Sequence, residues 1–505
     1  MTGALLPLFV VLPLAAAAAA AIVPWTWVQR VLHLGVPAVT TAGGVALLWH
    51  HTSEPVVAHH VGGFVPGIAI PFVSDTFSAL MLTVTGITTV ACSVFAVLCG
   101  EARLRFFPAL ALMLTSGVNG ALLTGDLFNL FVFIEVMLLP SYALIAMTGT
   151  WRRLGIGRVF VVVNLMTSTV LLMGVALTYG VAGSVNLGVL AGSGTDDGRL
   201  TLALGVVLLA LAIKAGAVPV HGWLPRSYPA TSAGVMALFS ALHTKVALYA
   251  MYRVHSIVLE GAPGWAPLVL AVLAITVVTG SYGSLGERVI RRSLAWQMVA
   301  GIGYILVGLG VATRLGLAAG IFYMVHHILV MGSLLLASGA IERTYLTGQF
   351  RGLSGLMRRD RGLAVIVALG LMSLVGLPPS SGFFGKVGAV WALTDLEPTW
   401  MWVLLGVVVL ASIGALLSMI HLWSEVFWGP PLEEMPSRGS KPHGPHDPPV
   451  VPEDRRIPTR LLVPSGALLA VSLVAFVGAG PVWEICLRAA EALLDAEGYA
   501  TEVMG

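Results

Sequence analysis

The chain reads as a succession of apolar runs, each about as long as a helix needs to cross a bilayer, parted by short polar or Gly/Pro-rich breaks. The runs fall at 4–24, 31–50, 74–98, 104–124, 126–148, 157–182 and 200–219. The seventh ends in a break, "VPVHGWLPRSYPA", after which apolar sequence resumes over 231–258. Later runs lie at 264–284, 294–313, 317–341, 363–376 (continuing after a second break to 395), 401–424 and 461–480. With 200–241 taken as one broken helix and 242–258 as the next, the pattern predicts about 14 transmembrane helices. A β-barrel would instead show alternating segments of about ten residues. The expected fold is therefore an all-α polytopic membrane protein. After the last run, Trp483 to Glu497 place apolar residues at helical spacing, which predicts a surface helix.

Composition strengthens this picture. Only 10% of the 505 residues are charged and 57% are hydrophobic, where a soluble chain would carry about a quarter charged residues. The placement of the charges says more than their sum. With the N-terminus outside, the inside loops hold Arg30, Arg103, Arg105, Arg152, Arg153, Arg158, Arg288, Arg291, Arg292, Arg343, Arg351, Arg358, Arg359, Arg361, Arg438, Lys441, Arg455, Arg456 and Arg460, which is 19 of the 27 basic residues. The outside segments hold only Arg199, Arg253, Arg314 and Arg488. That bias orients the chain with both termini outside. The alanine-rich start lacks a basic flank and is expected to stay as the first span rather than be cleaved. Cys92, Cys99 and Cys486 are scattered, without metal-site or disulfide spacing. The Pro- and charge-rich segment 429–460, with His443 and His446, predicts a flexible inside loop.

Four charged groups are out of place. Glu135 stands in the middle of "FVFIEVMLLP", and Lys214, Lys245 and Lys386 lie within or beside later runs. A charge at the centre of a spanning helix costs roughly 2.5–3.5 kcal/mol on insertion scales. Glu135 and Lys245 lie too deep to snorkel to an interface. All four side chains must turn into the protein, towards partners or water, and four together outline a polar pathway. The prolines agree. Pro140 cannot bond the carbonyl of Val136, Pro219 cannot bond that of Ala215, and Pro378 and Pro379 stand just ahead of Lys386. Carbonyls freed at membrane depth need water or side chains, so each break is expected to border a hydrated cavity. Two interrupted helices, each carrying a lysine, in different halves of the chain mark an inverted-repeat transporter.

Histidines supply titratable links: His221 in the first break, His243 two residues before Lys245, and His326 and His327 inside a span. Adjacent side chains on a helix diverge by about 100°, so one of that pair, with His327 favoured, is expected on the polar axis. Asp75 is expected to cap a helix. A lysine removed from water grips its proton less firmly, and a nearby carboxylate restores the grip. Glu135 beside Lys214 would thus be a switchable pair, passing protons on towards Lys245 and the histidines. No nucleophile elbow, phosphate-binding loop, dinucleotide fingerprint, haem or flavin signature is present. The expected chemistry is ion translocation without a cofactor or metal, not bond-making, and no nucleic-acid partner is expected.

The stretches "TGDLFNLFVFIEVMLLPSYAL", "IKAGAVPVHGWLPRSYPATSAGVMALFSALHTKVALY", "YMVHHILV" and "GLPPSSGFFGK" resemble the proton-translocating antiporter-like subunits shared by respiratory complex I, membrane-bound hydrogenases and Mrp-type multisubunit Na+/H+ antiporters. The resemblance runs from about residue 70 to 425, and the form of the carboxylate helix is nearest the Mrp branch. It implies that Glu135 is the family's carboxylate, Lys214 its broken-helix lysine, Lys245 its bridging lysine and Lys386 its distal lysine. It implies two inverted five-helix units, at 104–258 and 264–424, each a proton half-channel. They would be framed by N-terminal helices (1–103), a cytoplasmic loop (425–460) and a C-terminal helix and tail (461–505). The partners implied are other subunits of a cation/proton antiporter in a bacterial cytoplasmic membrane, with protons and Na+ as the ions. Two departures stand out: Met331 replaces a lysine common in relatives, and Arg226 stands where an acidic residue is common. The rival reading is a proton-pumping membrane subunit of a redox enzyme. An independent solute transporter would need a substrate pocket that the sequence does not offer. Glu135 has no companion carboxylates to hold a dehydrated Na+, so the expectation is that this chain carries protons.

Overall fold

The expected runs become helices in the computed structural model, which describes residues 3–147, 151–195, 197–430, 432 and 455–505. In order they are α1 (Leu8–Ile22), α2 (Thr26–His50), α3 (Thr76–Cys99), α4 (Phe107–Leu123), α5 (Leu127–Ala146), α6 (Trp151–Ala182), α7 (Gly198–Ala215), α8 (Trp223–Ser227), α9 (Ala233–Arg253), α10 (Ala266–Gly283), α11 (Ile290–Ile305), α12 (Arg314–Tyr345), α13 (Arg361–Val375), α14 (Ser381–Ala392), α15 (Pro398–Val426), α16 (Thr459–Val477), α17 (Ala479–Leu494) and α18 (Ala496–Met504). Among the described residues, twelve helices are long and apolar enough to cross a membrane, and α4 and α13 are shorter apolar helices. The chain is a multi-pass, all-helical membrane protein. The segment with His443 and His446 lies outside the described residues.

Packing sorts these helices into a centre and a rim. The apolar stretches of Ala233–Val258 and Arg314–Tyr345 are wholly buried and that of Ile290–Val311 is 94% buried, against 39% for Pro398–Val426. α9, α11 and α12 are therefore screened from lipid by the other helices, and α9 and α12 carry the polar residues a lipid-facing helix could not keep. The two breaks form as expected. α7 stops at Gly216 and α13 at Gly376, both left-handed, a conformation glycine adopts without strain. Pro140, by contrast, does not interrupt α5, which runs on to Ala146.

A short antiparallel hairpin, β1 (Val56–His60) with β2 (Pro71–Asp75), was not anticipated. Its signal is two short segments flanking "VGGFVPG", which the search for long apolar runs passes over. The hairpin gathers both ends of the chain on one face. The first residues pack on β1, as does α18, where the His60 ring bonds the Val503 carbonyl at 2.8 Å. α17 is the expected tail helix; it lies against α12 and α3, tied by Arg314 to Glu491 at 2.6 Å.

Asp75 caps α3 as expected, accepting from the Ser78 N–H at 2.9 Å while Ser78 Oγ accepts from the Asp75 N–H at 2.8 Å. It also does more. Its carboxylate forms a buried bidentate pair with Arg253, which is therefore not an outside loop charge. Burial alone would push the Asp75 carboxyl up, but the Arg253 guanidinium and the hydrogen bonds outweigh it and hold the group below its ordinary value. The pair's stabilisation is thus present above the ordinary carboxylate range and lost as pH falls through the depressed folded value. Asp75→Asn leaves the cap but strands the guanidinium, and should destabilise the chain by about 3–5 kcal/mol. A thermal melt of the purified protein in detergent at pH 7 checks this; an unchanged midpoint would refute it.

Candidate functional site

Lys214 is the next-to-last residue of α7, one turn from the break, and is 2% exposed. Its ammonium donates to Asn164 Oδ1 of α6 at 3.2 Å. No ion pair joins it to Glu135. The expected switchable pair is open in this structure, with the carboxylate close enough to act on Lys214 electrostatically. Glu135 is only half-buried on α5, and its Oε1 lies buried without a partner. The carboxylate therefore faces Lys214 from a distance, with Asn164 holding the lysine meanwhile.

From α9, His243 Nε2 meets Ser141 Oγ of α5 at 2.8 Å, one residue beyond Pro140. The ring is stacked on Phe239, with centroids 4.4 Å apart, and lies within the field of Lys214. Two residues on, Lys245 is 0% exposed and, among the described residues, donates only to Thr244 Oγ1, at 3.2 Å. It acts electrostatically on His327 of α12, which in turn feels His326. Of the pair, His326 has a hydrogen-bonding partner, while both ring nitrogens of His327 are buried without one. His327 turns towards Lys245 and lies over Gly301 of α11, where an added Cβ would meet the ring at 2.1 Å. One turn earlier on the same face of α11, Gln297 buries its amide nitrogen without a partner. His326 turns the other way, its Nδ1 meeting Ser381 Oγ at 2.8 Å, and Ser381 meets Ser472 of α16 at 2.7 Å. The divergence of about 100° sends the two rings to successive stretches of one route. Met331, one turn beyond His327, is fully buried and apolar.

Lys386 of α14 closes the series. Its ammonium donates to the Val375 carbonyl, at the end of α13, at 2.7 Å and to Ser412 Oγ at 3.0 Å, and stands 4.9 Å from the centre of the Tyr304 ring. A half-helix C-terminus is a favourable seat for a cation. Tyr304 stacks on Tyr323 at 4.8 Å, and Tyr323 is edge-on to His326 at 5.3 Å. Lys386 also acts electrostatically on His326. Glu135, Lys214 and His243 thus form one group of neighbours, and Lys245, His327, His326 and Lys386 a second, joined through α9. Asn164, Ser141, Gln297, Tyr304, Tyr323 and Ser381 fill the gaps, and sequence reasoning missed them.

His221 lies apart from this series. With Gly222, Pro225 and Arg226 it lines a cavity of about 1090 Å³ between the first break, the start of α6, the start of α11 and the end of α12. The first break thus borders a cavity.

A family model described as NADH:quinone oxidoreductase/Mrp antiporter, transmembrane, matches residues 124–414. A D-type Na(+)/H(+) antiporter subunit from Alkalihalophilus pseudofirmus is 32% identical over 450 residues, covering 88% of this chain and 87% of its own. A chain of the Mrp complex from Dietzia sp. DQ12-45-1b superposes with a TM-score of 0.93 at 40% identity, covering 100% of both chains. A chain of respiratory complex I from Thermus thermophilus superposes with a TM-score of 0.80 at 20% identity, over 97% of this chain and 99% of that one, a likeness of fold alone.

Proposed function

Because the chain belongs to the NADH:quinone oxidoreductase/Mrp antiporter family, we propose that it is the D-type member of a multisubunit Na+/H+ antiporter and carries the protons of that exchange. It works as one part of a hetero-oligomer. The observation that carries the proton role is the row of Lys214, Lys245 and Lys386 on buried helix faces, with histidines between them and, among the described residues, no buried carboxylate bonded to any of the three. A lysine kept from water without a tight counter-charge can give up its proton and regain it. Residues 104–258 and 264–424 each supply a half-channel, and Glu135 adjusts how firmly Lys214 holds its proton. The arginine-rich loops favour both termini lying outside a bacterial cytoplasmic membrane. Sodium crosses elsewhere in the complex.

The test uses everted membrane vesicles from cells expressing the whole native gene cluster. Sodium is added once respiration has acidified the interior. The antiporter reading requires the gradient to collapse, and to persist in vesicles lacking this chain. If sodium is without effect but pumping driven by an electron donor requires the chain, it belongs to a redox enzyme instead. In the same assay Asn164→Leu should slow the collapse about tenfold, the lower end of what one positioned hydrogen-bonding group contributes with others intact. Unchanged kinetics would show that Asn164 does not hold Lys214 during transport.

A further inference from the structure

The two breaks can be set in register without a gap. Set in register on their glycines, "GAVPVHGWLPR" from Gly216 pairs with "GLPPSSGFFGK" from Gly376. Gly216 and Gly376 end their helices at φ 87° and 85°, and each shares its N–H between two carbonyls of the preceding turn. Pro219 then pairs with Pro379, Gly222 with Gly382, Trp223 with Phe383, and Arg226 with Lys386. The positional counterpart of Lys386 is therefore Arg226, not Lys214.

The two cations do different things. Lys386 folds back across its break to the end of the preceding half-helix, α13, at the Val375 carbonyl. In the first break an indole serves the half-helix end instead: Trp223 Nε1 donates to the Ile213 carbonyl at 3.1 Å. Arg226 is released from that duty and is exposed on the wall of the 1090 Å³ cavity. The other charges of that wall are matched. Arg291 bonds Glu342 at 2.6 Å and the Thr231 carbonyl at 2.5 Å. Glu287 faces Arg292 at 3.7 Å and accepts from Trp296 at 3.1 Å. Among the described lining residues, Arg226 is the one cation without a carboxylate.

We propose that Arg226 is a selectivity determinant of the inner mouth, a fixed positive charge that keeps Na+ and other monovalent metal cations out of the proton path. This rests on the proton role given above. A guanidinium keeps its charge at any working pH, and a low-dielectric cleft focuses that charge onto whatever enters. A proton needs no free cation in the mouth. Water can protonate Lys214 by breaking its own O–H bond as the Nζ–H bond forms, and the hydroxide left behind is attracted by the same field. Sodium has no equivalent route. The paired positions thus hold a fixed charge at one break and a lysine able to release its proton at the other.

The test keeps the complete complex in everted vesicles, whose outer surface is the inner face of the cell. Initial rates of sodium-induced gradient collapse are followed over a range of NaCl, with choline chloride holding ionic strength constant. Arg226→Glu should make high sodium inhibitory, with the inhibitory concentration lowered about tenfold, as expected for reversing a focused charge. Arg226→Lys should follow the wild-type curve and Arg226→Gln should fall between. If Arg226→Glu fails to assemble, the Gln and Lys variants decide. Superposable sodium curves for charged and uncharged variants at matched complex abundance would overturn the proposal, including where only abundance changes. A wild type that ignores sodium would instead refute the antiporter reading itself.

Discussion

Lys214→Ala should abolish sodium-driven collapse of a preset pH gradient, lowering the initial rate at least about 100-fold, as loss of a proton-transfer group does. The size of the effect follows from position. Lys214 is where the field of Glu135, the contact with Asn164 and the field around His243 meet, one turn from the break that borders the cavity. Alanine removes the ammonium that donates to Asn164 and leaves a gap in the series between Glu135 and His243. Lys214→Arg sharpens the test, because it keeps the charge but cannot release the proton. It should be as inactive as the alanine variant, with the complex assembled in normal amount. Transport by Lys214→Arg above half of the wild-type rate would reduce Lys214 to a structural counter-charge.

Lys245→Met should silence transport and stabilise the protein together. Lys245 is fully buried in one of the two helices wholly screened from lipid, and among the described residues its bond is to the neighbouring Thr244. A cation kept there without a counter-charge is a standing cost, and methionine replaces it at nearly the same length. Exchange of buried ionic groups for apolar ones of similar volume commonly stabilises by about 1–4 kcal/mol. The same exchange cuts the route between His243 and His327, so transport should again fall at least about 100-fold. Gradient collapse in vesicles and a thermal melt of the purified complex measure the two effects. A destabilised Lys245→Met would mark the lysine as part of the scaffold, and an active one would remove it from the route.

Sequence and structure part company at particular residues. Lys214, Lys245, Lys386 and Glu135 were legible because a charge in an apolar run is expensive anywhere it points, so its presence alone demands an explanation. The breaks were legible because Pro219 and Pro379 each stand among glycines (Gly216 and Gly222, Gly376 and Gly382), a combination that ends a helix where the lone Pro140 does not. Asn164, Ser141, Ser381, Gln297, Tyr304 and Tyr323 carried no such mark. Uncharged polar side chains can satisfy themselves within a spanning helix, as Thr85 does on the Met81 carbonyl at 2.6 Å. Nothing in their spacing says which of them will meet a partner on another helix. Arg253 misled in the opposite way, reading as a charge at a span's outer end when the fold buries it against Asp75.

The sequence by itself therefore determined the helical, membrane-spanning class, the places where helices break, and which charged groups must turn inward. These are properties of one segment in its solvent: apolar length, missing backbone donors and the cost of an unsolvated charge. Tertiary structure alone decided that Lys214 meets Asn164 and not Glu135, and that His326 and His327 serve successive stretches of one route. It also decided that Arg226 looks into a cavity while its counterpart Lys386 seals a half-helix. Such pairings depend on the rotation and depth of neighbouring helices, which packing fixes jointly and no single run of residues encodes.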